Sequence, residues 1–125
     1  MMRVVLVGIC GSGKTALARR LGRLGYEVRE CGQEHSEVPH MWQVISQPDI
    51  LIYLDASEAV VEHRGQRHYV KNHCETQRRR LAHARAHCDL YIMTDDLTES
   101  QVLELALDFL THYVPQKALH LTDNS

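Results

Sequence analysis

The chain has 125 residues, of which 44% are hydrophobic and 24% charged, and its formal net charge is −2. Dividing the length by about 150 residues per domain gives one domain, and these fractions exclude a wholly disordered chain, a collagen and a coiled coil. No apolar run approaches the ~20 residues that cross a bilayer, and the short run after Met1 does not fit a signal peptide, so we expect a cytoplasmic protein without a membrane partner.

The first half of the chain alternates short apolar runs with helical patterns. The runs are β-branched or alternating, which is typical of strands, and Gly25 and Pro48 are placed to end the two helices. The predicted strands are Arg3–Val7, Tyr26–Cys31 and Ile50–Leu54, and the predicted helices are Lys14–Leu24 and the weaker Glu37–Gln47.

The second half continues this alternation. Thr98 and Gln101 resemble a capping box at the start of its clearest amphipathic helix. The predicted elements are helices at Ala56–His63, Glu75–His87 and Leu97 to about Tyr113, a strand at Leu90–Met93, a basic loop at Gly65–His73 and a tail at Val114–Ser125. Alternating strands and helices predict an α/β fold with a parallel sheet of about four strands and helices on both faces.

The most specific motif follows the first predicted strand. Residues 8–15, GICGSGKT, fit the pattern G-x-x-x-x-G-K-[ST] at every position. Glycines let such a loop turn and point its N–H groups at a polyphosphate, at the positive end of the next helix. Lys14 would bridge the outer phosphates and the Thr15 hydroxyl would hold Mg²⁺. The predicted binding residues are Gly8, Cys10, Gly11, Ser12, Gly13, Lys14 and Thr15.

Three segments together resemble the P-loop nucleoside and small-molecule kinases. The order of strand, GICGSGKT, helix and strand is shared by those proteins, and PDILIYLD at residues 48–55 resembles the PDxxIYLD strand of thymidylate-kinase-like and deoxynucleoside-kinase-like proteins. Residues 80–103 are similar to the last strand and helix of shikimate-kinase-like enzymes. The resemblance implies one P-loop NTPase-like domain over residues 1–125, a three-layer α/β/α sandwich with a mostly parallel sheet of about four to five strands. It also implies ATP and Mg²⁺ as ligands, and a lid-like basic segment at about residues 62–80.

One region departs from those kinases. Only 17 residues, 32–48, separate Cys31 from Asp49, where the kinases place their acceptor-binding helices. We therefore expect either a kinase for a small acceptor, such as a nucleoside, nucleotide or other metabolite, or a nucleotide-binding regulatory or partner-dependent module without an acceptor. A slow ATPase lies between the two.

Several carboxylates end predicted strands, where parallel sheets meet their ligands. Asp55 ends the third strand and is a candidate for the Mg²⁺ shell, although it could instead cap the next helix. Glu30, which ends the second strand, and the nearby Glu34 are the rival metal acids. Either glutamate could also take a proton from an acceptor, with Gln33 or His35 orienting it. Trp42 could form the floor of an acceptor pocket, but its helical spacing from the other apolar residues favours a position in the hydrophobic core.

The middle of the chain is basic. Residues 62–89 carry seven Lys/Arg and three acids, whereas the rest of the chain has a net charge of −6. Arg64 and Arg67 in the lid-like segment could bind phosphate oxygens during transfer. Beyond Tyr69 this basic segment has no aromatic residues interleaved with its Lys and Arg residues, which argues against nucleic acid as the partner. The histidines include His83 and His87 at i, i+4, a valid zinc spacing, but the four cysteines form no C-x-x-C pair and are expected as free thiols.

Overall fold

The computed structural model describes residues 3–9, 11–46, 48–64 and 72–113. Within them, four strands form one parallel sheet in the order β2-β1-β3-β4. The strands are β1 (Arg3–Gly8), β2 (Glu27–Glu30), β3 (Ile50–Asp55) and β4 (Leu90–Met93), and the helices are α1 (Lys14–Arg23), α2 (Met41–Ser46), α3 (Glu58–His63), α4 (Asn72–His87) and α5 (Glu99–His112). A short 3₁₀ turn, Gln33–His35, follows β2. The predicted α/β class and parallel sheet are confirmed.

The two central strands carry the most apolar sequence. Every residue of β3 is buried, as are five of the six residues of β1. Strands of a parallel sheet that helices cover on both faces are expected to read as continuous apolar runs. The edge strand β2 is polar and half exposed, with the sequence EVRE, which suits a strand whose outer edge has no partner among the described residues.

Side chains alternate along β1 and β3, so they form two separate cores. Val5, Val7, Leu51 and Tyr53 pack on the face covered by α4, and the buried residues of this α4-side core also include Trp42, Val61, Leu81 and Ala84. The opposite residues of the same strands form the α1-side core with α1 and α5; its members include Val4, Leu6, Ile50, Ile52, Leu17, Leu21, Val102, Ala106 and Leu110. Helices therefore lie against both faces of the sheet, as a three-layer arrangement requires.

The predicted helix at Glu37–Gln47 begins later than expected. Residues before Met41 form turns, and Val38, expected on the buried face, is 50% exposed. One reason is Pro39, which disfavours a helical backbone conformation at Val38. A second is that the Trp42 backbone N–H, which would donate to the Val38 carbonyl in a longer helix, donates instead to the side-chain oxygen of Gln33 at 2.9 Å, while the Val38 carbonyl accepts from the Gln33 side-chain amide at 2.7 Å. That carbonyl is thereby used in a tertiary contact, and helix α2 starts after it.

The remaining elements agree with prediction to within a few residues. Thr98 and Gln101 form the predicted capping box at the start of α5, and α4 begins at Asn72 rather than at Glu75. The predicted tail, Val114–Ser125, and most of the predicted loop, Gly65–His73, lie outside the described residues. None of the described helices combines the length and the apolar character needed to cross a bilayer.

Candidate functional site

A cavity of about 740 Å³ opens at the carboxyl ends of the strands. Ligands of open parallel α/β sheets bind at this edge. Gly11–Leu17, from the glycine loop and the start of α1, form one wall, while Glu30, Glu34 and Arg64 come from the end of β2, the 3₁₀ turn and the end of α3. The other wall follows β4 and consists of Thr94, Leu97, Thr98, Glu99 and Val102.

The glycine loop turns tightly from β1 into α1. Gly8 lies against β3, where a Cβ would come within 2.1 Å of the Leu54 carbonyl oxygen. Gly13 precedes α1 with φ 101, a conformation that favours glycine. Ser12 between them is buried, and its N–H and hydroxyl donate to the Ile9 carbonyl at 3.2 and 2.7 Å. The loop has the tight turn that its glycines predict; Cys10 lies outside the described residues.

Lys14 points into the cavity and is paired with a carboxylate. Its Nζ donates to Oε2 of Glu34 in an ion pair, and the two side chains are only 10% and 5% exposed. Arg80 donates to the backbone carbonyl of Glu34 at 3.3 Å and so ties the 3₁₀ turn to α4. An anion that reaches Lys14 must therefore replace the Glu34 carboxylate or share the ammonium with it.

Thr15 lies beside the second candidate acid. Its hydroxyl donates to Oε1 of Glu30 at 2.7 Å. Hydroxyl and carboxylate oxygens suit Mg²⁺, which proteins hold through one or two carboxylates and the phosphates of the substrate. Across residues 3–9, 11–46, 48–64 and 72–113, no group of three or more His, Cys, Asp or Glu side chains could hold a metal ion alone. A cation here would depend on ligand oxygens.

Asp55 does not line this cavity. Its Oδ2 accepts from the Tyr91 hydroxyl at 2.7 Å, and its Oδ1 accepts from the N–H of Ala56 at 2.8 Å and lies 3.5 Å from Arg78 Nη2. Burial and the hydrogen bond to Asp55 raise the pKa of Tyr91 to about 12, so the phenol keeps its proton at neutral pH. The Asp55 carboxylate is thus held by Ala56, Tyr91 and Arg78 outside the cavity. The alternative role as a helix cap is not seen either, because Ser57, directly before α3, has the hydroxyl that accepts from the Val60 N–H at 3.3 Å.

Arg64 contacts the glycine loop directly. Its Nη1 donates to the Gly11 carbonyl at 2.8 Å and to Oγ1 of Thr94 at 3.0 Å, and its Nη2 donates to the Thr94 carbonyl at 2.9 Å. The Thr94 side chain is buried, and its Oγ1 also lies 3.0 Å from the carbonyl oxygens of Ser12 and Asp55. The structure therefore places Arg64 in the candidate site, whereas Arg67 lies outside the described residues.

Gln33 and Trp42 contribute to packing around the site. The Gln33 side-chain nitrogen donates to the backbone carbonyls of Val38 at 2.7 Å and Arg80 at 3.3 Å. Its side-chain oxygen accepts from the backbone N–H of Trp42 at 2.9 Å. Trp42 is 4% exposed and belongs to the α4-side core, as its spacing predicts. The prediction that Gln33 orients an acceptor gains no support, because both of its N–H donors point into the fold.

The wall formed by α1 and α5 is less polar. Leu17 and Val102 are buried, and Leu97 is partly buried against the same core. At the edge of this wall the Glu99 carboxylate accepts from Arg20 at 3.0 Å. The cavity lining therefore combines charged side chains, among them Lys14, Glu34 and Arg64, with apolar side chains from α1 and α5.

His83 and His87 lie beside the indole of Trp42, and the described residues form no metal-ligating group around them. Their rings stack with centroids 4.3 Å apart, and Nδ1 of His83 accepts from the Trp42 indole N–H at 3.1 Å. Burial lowers the pKa of His83, and His87 and His40 lower it further by charge repulsion. A neutral His83 keeps the acceptor nitrogen that Trp42 uses.

Thr94 is the site residue that sequence reasoning missed. The available signal was its position directly after β4, since parallel strands bring their carboxyl ends to one edge.

A scan against models of protein families finds no match to this chain. A search of curated proteins likewise finds no match.

Proposed function

We propose that this chain is a P-loop NTPase-like domain that binds ATP with Mg²⁺ and transfers the terminal phosphate to a small acceptor. The observation that carries the proposal is the joint placement of Gly11–Thr15, Glu30 and Arg64 around one cavity. A glycine loop opening a helix, a lysine, a hydroxyl and a neighbouring carboxylate are the groups that Mg²⁺–polyphosphate recognition needs.

The residues divide the work of binding. The loop N–H groups and the positive end of α1 attract the phosphates, and Lys14 takes their outer oxygens once Glu34 has moved aside. Thr15 and Glu30 supply oxygens to the cation, and their 2.7 Å contact favours Glu30 over Asp55 as the metal acid. The role of Asp55 in the Mg²⁺ shell stays a prediction.

Phosphoryl transfer in such a site is mostly positioning and charge neutralisation. Glu34 is the carboxylate nearest to Lys14 and is suited to accept a proton from an acceptor hydroxyl. Arg64, with Arg67 following it in the chain, would offset the charge on the transferred phosphate. The acceptor is a nucleoside, nucleotide or other small metabolite.

A nucleotide-binding module or slow ATPase is the second candidate. It is favoured because, among described residues 32–46, Glu34 alone lines the cavity. The neighbouring Gln33 and Trp42 are engaged in the core. An acceptor pocket therefore has few side chains available from this side.

Two measurements test the proposal in turn. Calorimetry should detect Mg–ADP binding, and Lys14→Ala should weaken it at least ~10-fold, about 1.4 kcal/mol, whereas Arg19→Ala, an exposed change on the same helix, should not. Absence of binding to the parent chain would refute the nucleotide proposal. A screen of nucleosides, nucleotides and small alcohols should then show one acceptor that raises ADP release; if none does, the binding module is the better conclusion.

A further inference from the structure

Two carbonyls of the glycine loop are held from outside the loop. Arg64 donates to the Gly11 carbonyl at 2.8 Å, and the Thr94 hydroxyl lies 3.0 Å from the Ser12 carbonyl. Thr94 is 2% exposed, so water does not compete for the hydrogen bonds of its hydroxyl group. These contacts join the loop to the residues that directly follow α3 and β4, which are distant from it in sequence.

The direction of the Ser12 carbonyl matters for ligand binding. A trans peptide is planar and its C=O and N–H point to opposite sides. A donor that holds the Ser12 carbonyl therefore fixes the opposite direction of the Gly13 N–H. Gly13 lines the cavity at the start of α1, so this amide is one of those that a bound anion would use.

Thr94 is itself held in place by three further contacts. Its N–H donates to the Asp55 carbonyl at 2.9 Å, its carbonyl accepts from Arg64 Nη2 at 2.9 Å, and its hydroxyl accepts from Arg64 Nη1 at 3.0 Å. The hydroxyl proton can then be donated to the Ser12 or the Asp55 carbonyl. Since the Asp55 carbonyl already receives the Thr94 N–H, the Ser12 carbonyl is the one that depends on the hydroxyl.

We propose that Thr94 is a positioning residue of the phosphate site, whose hydroxyl holds the glycine loop in its anion-binding shape through the Ser12 carbonyl. The expected effect on nucleotide affinity rests on the proposed function, whereas the expected effect on the order of the loop does not depend on any ligand. Arg64 acts on the same loop through the Gly11 carbonyl.

The test compares Thr94→Val, which removes the hydroxyl at nearly constant volume, with Thr94→Ser, which keeps it. Ile92→Val is the matched control because Ile92 is a buried residue of β4, two residues before Thr94, and does not line the cavity. Hydrogen exchange of the segment 8–16 should accelerate at least ~5-fold in Thr94→Val and stay near the parent value in the other two variants, because loss of loop order exposes the Ser12 amide. Mg–ADP affinity should fall at least ~10-fold in Thr94→Val and less than ~3-fold in Thr94→Ser.

The outcomes separate this inference from the proposed function. If the parent binds no ADP, the nucleotide proposal fails while the exchange measurement still decides the role of Thr94. Equal exchange in Thr94→Val and the parent, or equal acceleration in Thr94→Ser and Thr94→Val, overturns the inference. Should Thr94→Val fail to fold, Thr94→Ala removes the same hydroxyl without placing a second methyl group against the Ser12 and Asp55 carbonyls, and unchanged exchange of segment 8–16 in that variant overturns the inference.

Discussion

Replacing Glu34 by glutamine should strengthen the binding of metal-free ADP, the opposite of what removing an ordinary binding residue does. Four charged side chains lie at the phosphate end of the cavity: Lys14 and Arg64 are positive, and Glu30 and Glu34 are negative. Their charges cancel. A nucleotide that arrives without a cation therefore gains no net attraction from these four side chains and must compete with Glu34 for Lys14.

The size of the effect follows from the burial of the pair. Two unit charges ~4 Å apart interact by about 4 kcal/mol at an effective dielectric constant of ~20. A phosphate oxygen bound to Lys14 would lie at about this distance from the displaced Glu34 carboxylate, and movement of the side chain relieves part of the repulsion. We expect Glu34→Gln to tighten metal-free ADP binding at least ~10-fold, about 1.4 kcal/mol. With Mg²⁺ present, the cation already neutralises the carboxylates, and the change should be below ~3-fold.

Calorimetric titration of ADP in EDTA and in excess Mg²⁺ measures both affinities. Glu104→Gln is the matched control, since it removes the same charge from an exposed position of α5 that does not line the cavity. The glutamine oxygen can still accept from Lys14, so thermal unfolding should show a folded protein. Unchanged or weaker metal-free binding by Glu34→Gln would refute the argument that this carboxylate competes with phosphate.

Three further outcomes are expected. Glu30→Gln should lower Mg²⁺-dependent nucleotide affinity more than Asp55→Asn does, because only Glu30 accepts from Thr15; the reverse order in calorimetry would return the metal role to Asp55. Arg64→Ala should slow turnover more than it weakens ADP binding, measured by ADP release and calorimetry, since ADP lacks the transferred phosphate; an equal loss in both would contradict this. The free energy of unfolding, followed by Trp42 fluorescence, should have its full value above pH ~6.5 and should fall as the pH drops through the lowered pKa of His83. The reason is that the unfolded chain binds the proton at a higher pH than the folded protein does. A free energy of unfolding that stays constant from pH 7.5 to 5 would contradict this expectation.

The sequence predicted the strands and the glycine loop because both depend on local pattern. The strand β4 has the predicted bounds, Leu90–Met93, since its apolar run is bounded by Asp89 and Thr94. The surroundings of Asp55 were harder to foresee. Asp55 follows Tyr53 by two residues and so points to the α4 side of the sheet, where Tyr91 and Arg78 meet it. Which helix covers which face is a tertiary property that the pattern of one strand does not contain.

The position of Glu34 bears on the choice between a kinase and a binding module. The 3₁₀ turn that carries it is fixed by the buried Gln33 amide, which bonds to Val38, Arg80 and Trp42. A carboxylate held this firmly beside Lys14 costs folding free energy to bury, and the pair is seldom a net source of stability. Such a cost is understandable if the carboxylate acts on a ligand at the phosphate end, as a base or as a control of metal-dependent binding. The acceptor screen and the metal-free titration separate these two uses, since only the base requires an acceptor.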